Sequence, residues 1–154
     1  NFSPEEYSVH HAVVYTNDVN LSLRSRIIQQ YEGYESYTMI ARSALVTPSS
    51  KIAGGCALME GAIVNGAILA QNSVINTKAV IEHGCILGNN VFVGPGAIVC
   101  GDTCIGDNVL VGAGVIIRDG IEITENVTIG MGSVVVRSIV EPGVYLGNPC
   151  RKIR

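Results

Sequence analysis

The chain has 154 residues, of which 47% are hydrophobic and 15% charged, so it holds one folded domain with a small appendage and is not a disordered chain. Its net charge of −3, with no run of Lys and Arg before the last four residues, excludes a nucleic-acid or anionic-membrane surface as its business. No apolar run approaches the roughly 18 residues that cross a bilayer, and no charged leader with a cleavage site is seen, so we expect a cytoplasmic protein without membrane insertion.

Residues 8–15, which include His10 and His11, read as a strand, and Leu21, Leu23, Ile27, Ile28 and Tyr31 share one helical face that ends at Gly33. Residues 37–40 read as a second strand. The resulting β-α-β segment is either the tail of a small nucleotide-binding unit or a packing cap over the first turn of the main domain, and no Gly-rich phosphate turn precedes its helix. We divide the chain into a partial α/β unit, 1–42, and a main domain with a C-terminal tail, 43–154. Residues 44–52, with Pro48, form an irregular start to the main domain.

From Ile63 an aliphatic residue recurs at every sixth position through Leu69, Ile75, Ile81, Leu87 and onward to Val135. Two residues before each stands a small or β-branched side chain, from Gly61 and Ala67 to Ser133, and Gly often follows directly, as at Gly88, Gly94, Gly106, Gly112 and Gly130. A period of six is neither helical nor plain strand alternation. Short strands joined by corners satisfy it, with three hexads per triangular coil of about 18 residues and the aliphatic ladder filling the prism. The predicted fold is all-β, a parallel β-helix of about five coils between 43 and 137, with the bends at the glycines that follow the ladder. Aromatics at 5% and 18 glycines suit a thin, repetitive core with many tight corners. The five cysteines, Cys56, Cys85, Cys100, Cys104 and Cys150, follow no metal-site spacing and read as reduced, and a three-histidine zinc site is not available where His83 is the coil's one histidine.

His83 falls two residues after Ile81, at a corner, so its ring projects outward, either as a solvated group or as one serving a cleft between subunits. Eighteen residues on, one coil along, stands Gly101, whose N–H is open to a ligand and suited to a developing oxyanion. Pro95, Ala113, Met131 and Pro149 repeat at the same spacing as a column along the prism, and Arg151, Lys152 and Arg154 close the chain with positive charge.

The run Asn76-Thr77-Lys78-Ala79-Val80-Ile81-Glu82-His83, with Gly88, Gly94-Pro95-Gly96, Gly112-Ala113-Gly114 and Gly147-Asn148-Pro149, resembles the bacterial sialic-acid O-acetyltransferases and UDP-amino-sugar N-acetyltransferases of the hexapeptide-repeat class. The resemblance covers about 43–154. It implies a left-handed coil, a homotrimer and acetyl-CoA as co-substrate, with no metal. It further implies acetylation at nitrogen or oxygen of an amino sugar, nucleotide-linked, in surface glycan synthesis. In that family the corner His is the general base, which carries to His83, and the oxyanion donor falls at Gly101. CoA contacts fall at Ala113 and Met131, in the column that Pro149 continues; Arg151, Lys152 and Arg154 after it either meet the CoA phosphates or form a solvated charged tail.

Three positions depart from that pattern. The acidic residue usual after the His is Gly84, leaving Glu82 as the substitute, a second His is replaced by Phe92, and the His that often opens the coil is Ala41. Met131 stands where a small residue is usual. The alternative function is a non-catalytic trimeric β-helix that scaffolds or caps an assembly.

Overall fold

The computed structural model describes residues 3–10 and 22–154, so most of the strand expected over 8–15, His11 included, and the start of the helix lie outside the described residues. From Met39 onward the chain is a parallel β-helix whose strands, mostly two residues long, are joined by short corners. It has three faces. Face I is an eight-stranded sheet, face II a six-stranded one and face III a five-stranded one, and each strand pairs in parallel with its counterpart one coil away. The six strands of face II mark about six turns, one more than the sequence suggests.

The extra turn escapes notice because the ladder changes phase. Ile81 pairs with Val64, seventeen residues back, whereas Val99 pairs with Ile81 at the full eighteen. The corner at Asn65-Gly66 is thus one residue short. Val64 and Ala62, both 0% exposed, point into the prism, and the expected ladder residues Ile63 and Gly61 do not. Counting back by sixes from Val64 gives Leu58, Ile52 and Val46, the core residues of the earlier coils, and then Ile40, which pairs with Leu58 at the open end, so the coil begins at Met39–Ile40. Those two residues, expected in the second strand of the β-α-β segment, instead pair with Ala57–Leu58. From Leu69 to Val135 the six-residue period holds, and the ladder is buried throughout. Truncating one of these, such as Ile81, to Ala costs about 2–5 kcal/mol.

The bends also lie elsewhere than expected. Every corner from Asn72 to Gly132 turns through its third residue, which takes a positive φ: Asn72, Lys78, Gly84, Asn90, Gly96, Asp102 and so on at each sixth position. Gly, Asn and Asp tolerate that region best, which is why they recur there. The glycines directly after the ladder serve a different need. A Cβ on Gly94 would lie 2.7 Å from the Ala113 nitrogen, and one on Gly112 would lie 2.6 Å from the Met131 nitrogen, so these glycines let successive corners stack closely.

The N-terminal unit is a short helix, Ser22–Gln29, with two parallel strands, Ser8–Val9 and Glu35–Ser36. It docks at the corner between faces III and I. Arg24, buried there, donates to the Asn72 carbonyl at 2.8 Å, and burial lowers its guanidinium pKa to about 10. Ser25 donates to Asn108 and accepts from Asn90. Beside this contact the outward residues of face I, Ala57, Val74, Phe92 and Leu110, form a second buried cluster. At the other end Gly143–Leu146 adds the last parallel strand, and Arg151–Lys152 folds back on it antiparallel, so the expected charged tail is a hairpin that closes the coil.

Candidate active site

Two corners flank face II. One, between faces II and III, carries His83 between the strands Val80–Ile81 and Ile86–Leu87. The other, between faces I and II, carries Pro95, Ala113 and Met131.

At the first corner the His83 side chain is 69% exposed and lies over Gly101 of the next coil. A Cβ on Gly101 would come within 2.6 Å of the imidazole Cε1 and 2.9 Å of Nε2, so the ring rests on bare backbone. The Cys100 N–H donates to the Ile117 carbonyl and the Asp102 N–H to the His83 carbonyl, whereas the Gly101 N–H between them makes no backbone hydrogen bond among the described residues. The spacing of eighteen therefore does bring the His83 ring and the Gly101 N–H together.

Glu82 turns away from this pair: its carboxylate accepts a hydrogen bond from the Asn65 side chain at 2.9 Å. The carboxylate beside the imidazole belongs to Asp102, with Oδ1 4.0 Å from His83 Nδ1. Sequence reasoning missed it, although the interval that pairs His83 with Gly101 also pairs Gly84 with Asp102. Phe92, in place of the second family histidine, is buried on face I and takes no part. Cys85 lies inside the prism beneath this corner and donates to the Cys100 carbonyl, and burial pushes its thiol pKa up, so it is no nucleophile at neutral pH.

The second corner is built of backbone. Gly114 donates to the Pro95 carbonyl and Gly132 to that of Ala113, which fixes Pro95, Ala113 and Met131 one above the other. Gly96, Gly114 and Gly132 beside them have positive φ and open space where a Cβ would stand, leaving a bare strip along the column. Met131, in the same column, is 76% exposed. Pro149 does not continue it. The last coil is two residues short, since Ile129 pairs with Tyr145, sixteen on, so the residue in register above Met131 is Gly147. Of the terminal cations, Lys152 is paired with Glu141 at 2.8 Å, which lowers the pKa of the acid and raises that of the amine, and Arg151 donates to the Cys150 carbonyl.

A parallel β-helix of six-residue repeats is the fold this chain shares with known transferases. The bacterial transferase hexapeptide family (six repeats) matches residues 102–137. The acetyltransferase domain of PglB from Neisseria gonorrhoeae is 30% identical over 99% of this chain and 73% of its own, with a TM-score of 0.89. The same domain in complex with acetyl coenzyme A gives 29%, with the same coverage and a TM-score of 0.87. A mutant of perosamine N-acetyltransferase from Caulobacter crescentus, in complex with CoA and GDP-perosamine, is 27% identical over 89% of this chain and 67% of its own, with a TM-score of 0.84. No curated protein matches the chain. The chain belongs to the hexapeptide-repeat acyltransferases, as the sequence resemblance implied, and is an enzyme of that class.

Proposed function

We propose that this protein is a homotrimeric, acetyl-CoA-dependent N- or O-acetyltransferase whose acceptor is a nucleotide-linked amino sugar, working in the cytoplasm in surface glycan synthesis. The observation that carries the reading is the His83 imidazole resting on Gly101, a base beside a spare backbone donor. In this mechanism the acceptor nitrogen or oxygen attacks the thioester carbon and gives its proton to His83. A C–N or C–O bond forms, and the oxygen, now carrying negative charge, accepts from the Gly101 N–H. Collapse breaks the C–S bond, and the imidazolium returns the proton to the departing CoA thiolate.

The trimer is supported by where the parts lie. The base and the bare strip stand at opposite edges of face II, so in one chain neither borders a closed cleft. Faces II and III, on either side of His83, expose aliphatic rows, with Leu45 at 65% and Ile86 at 48%, that no part of the described chain covers. Packing face II of one copy against its neighbour buries these rows and brings one copy's base to the other's strip. Pro95, Ala113 and Met131 are then assigned to the pantetheine arm, and Arg151 and Lys152 to the CoA phosphates, with Lys152 exchanging Glu141 for phosphate. The complexes of similar enzymes with CoA, acetyl-CoA and GDP-perosamine support the choice of both substrates. Five free cysteines, and the lack among the described residues of any helix long and apolar enough to cross a membrane, support the cytoplasmic setting.

Thiol release from acetyl-CoA, measured across a panel of UDP- and GDP-linked amino sugars, tests the reading. Release above background with at least one acceptor is expected; none with any amino sugar contradicts it. Light scattering is expected to give the mass of three chains, and a stable monomer would remove the shared site.

A further inference from the structure

We propose that Asp102 is the positioning residue of His83, a role this inference assigns on the strength of the base reading given above. Its basis is local and geometric. Asp102 Oδ1 faces His83 Nδ1 at 4.0 Å, and the two side chains are similarly exposed, at 72% and 69%. The Asp102 N–H donates to the His83 carbonyl at 2.8 Å, so the two residues are tied through the backbone as well. Asp102 takes φ 57° at the turning position of its corner. Among the described residues its carboxylate accepts no hydrogen bond, and the His83 ring is the ionisable side chain it forms its close contact with.

Gly84 explains how the carboxylate reaches the ring. Residue 84 holds the turning position directly below Asp102, and a Cβ there would collide with Asp102 Oδ1. Any side chain at 84 would evict the carboxylate from its place beside the imidazole. Gly84 and Asp102 therefore form one unit: the glycine supplies the space and the next coil supplies the charge. A carboxylate on the Nδ1 side favours the ring tautomer with its proton on Nδ1, which leaves the Nε2 lone pair free to take the acceptor's proton. As His83 becomes imidazolium, the same carboxylate offsets the new charge, a benefit that exists in the transition state and not in the ground state.

The test compares three variants with the parent enzyme. Asp102→Asn, which keeps shape and removes charge, is expected to lower kcat about tenfold while KM for acetyl-CoA and acceptor stays within about twofold, the pattern of a transition-state loss. Asp102→Gly is expected to match it. The double variant Gly84→Asp, Asp102→Gly moves the carboxylate one coil down to a position whose positive φ (69°) Asp tolerates, and is expected to recover most of the lost kcat. Nitrogen-15 shifts of the His83 ring in the ligand-free protein provide a readout independent of turnover. The Nδ1–H tautomer should dominate in the parent and lose its preference in Asp102→Asn. An unchanged tautomer, or parental kcat in both single variants, overturns the proposal. A parent that releases no thiol with any acceptor defeats the enzymatic reading instead, and the ring shifts still report on the Asp102 contact.

Discussion

The two corners that flank face II share one backbone plan and differ in what they add to it. The His83 corner adds side chains, an imidazole laid on Gly101 and a carboxylate fitted over Gly84. The corner at Ala113 adds almost nothing, since glycines at 96, 114 and 132 keep its surface bare and only Met131 stands out from it. Chemistry needs particular atoms at particular places, whereas a long flexible cofactor arm needs an unobstructed track and backbone groups to lie against. Substitutions at the first corner should therefore act on turnover, and those at the second on binding.

The largest effect is expected for His83→Ala. Loss of a positioned base lowers turnover by about 10² to 10⁴-fold with CoA affinity largely kept. Because the side chain projects from a corner, the melting curve should barely move, in line with surface changes of less than about 0.5 kcal/mol. Steady-state kinetics and thermal unfolding of the two proteins decide this, and a mutant as fast as the parent would make His83 a surface residue.

Gly101→Ala sharpens the comparison from the other side of the same contact. Its methyl group would meet the imidazole at 2.6 Å, so the ring must swing away while the backbone, free of positive φ there, accommodates Ala. A displacement on the order of 1 Å costs up to about 10²-fold in rate. The expected result is lower kcat with an unchanged fold by circular dichroism. The smallest effect belongs to the second corner, where Met131→Ala removes the exposed side chain and should leave CoA binding intact or a few-fold tighter by calorimetry. Marked weakening would show that Met131 holds the cofactor and does not narrow its track.

How far the sequence revealed this can be traced to particular residues. The ladder from Leu69 to Val135 was legible because a small residue inward of each aliphatic one specified it twice. The phase shift at Asn65-Gly66 was not, because Ile63 and Val64 are both aliphatic and the period of six runs on through the wrong one. Only burial separates them, although Leu58, Ile52 and Val46, each six apart, carry the signal of the earlier frame. Pro149 left its column for a similar reason: Ile139 follows Val135 after four residues, shortening the last coil in a way no ladder position marks. At the candidate site, the spacing of eighteen showed that His83 meets Gly101. The carboxylate was sought next to His83 in the chain, at Glu82, because sequence neighbours are what a motif displays; in a solenoid the nearer neighbour is a whole coil away.

The central claim, that catalysis uses the His83 corner of one copy and the Ala113 corner of another, is tested most directly by complementation. His83→Ala removes the base, and Ala113→Arg blocks the track, so each variant alone should be inactive. Co-expression at equal levels places an intact base against an intact track at one site in every mixed trimer, about a quarter of all sites if copies assort at random. Thiol release near that fraction of the parental rate is the predicted result. Mixed trimers as inactive as either variant would contradict the account and put the whole site within one chain.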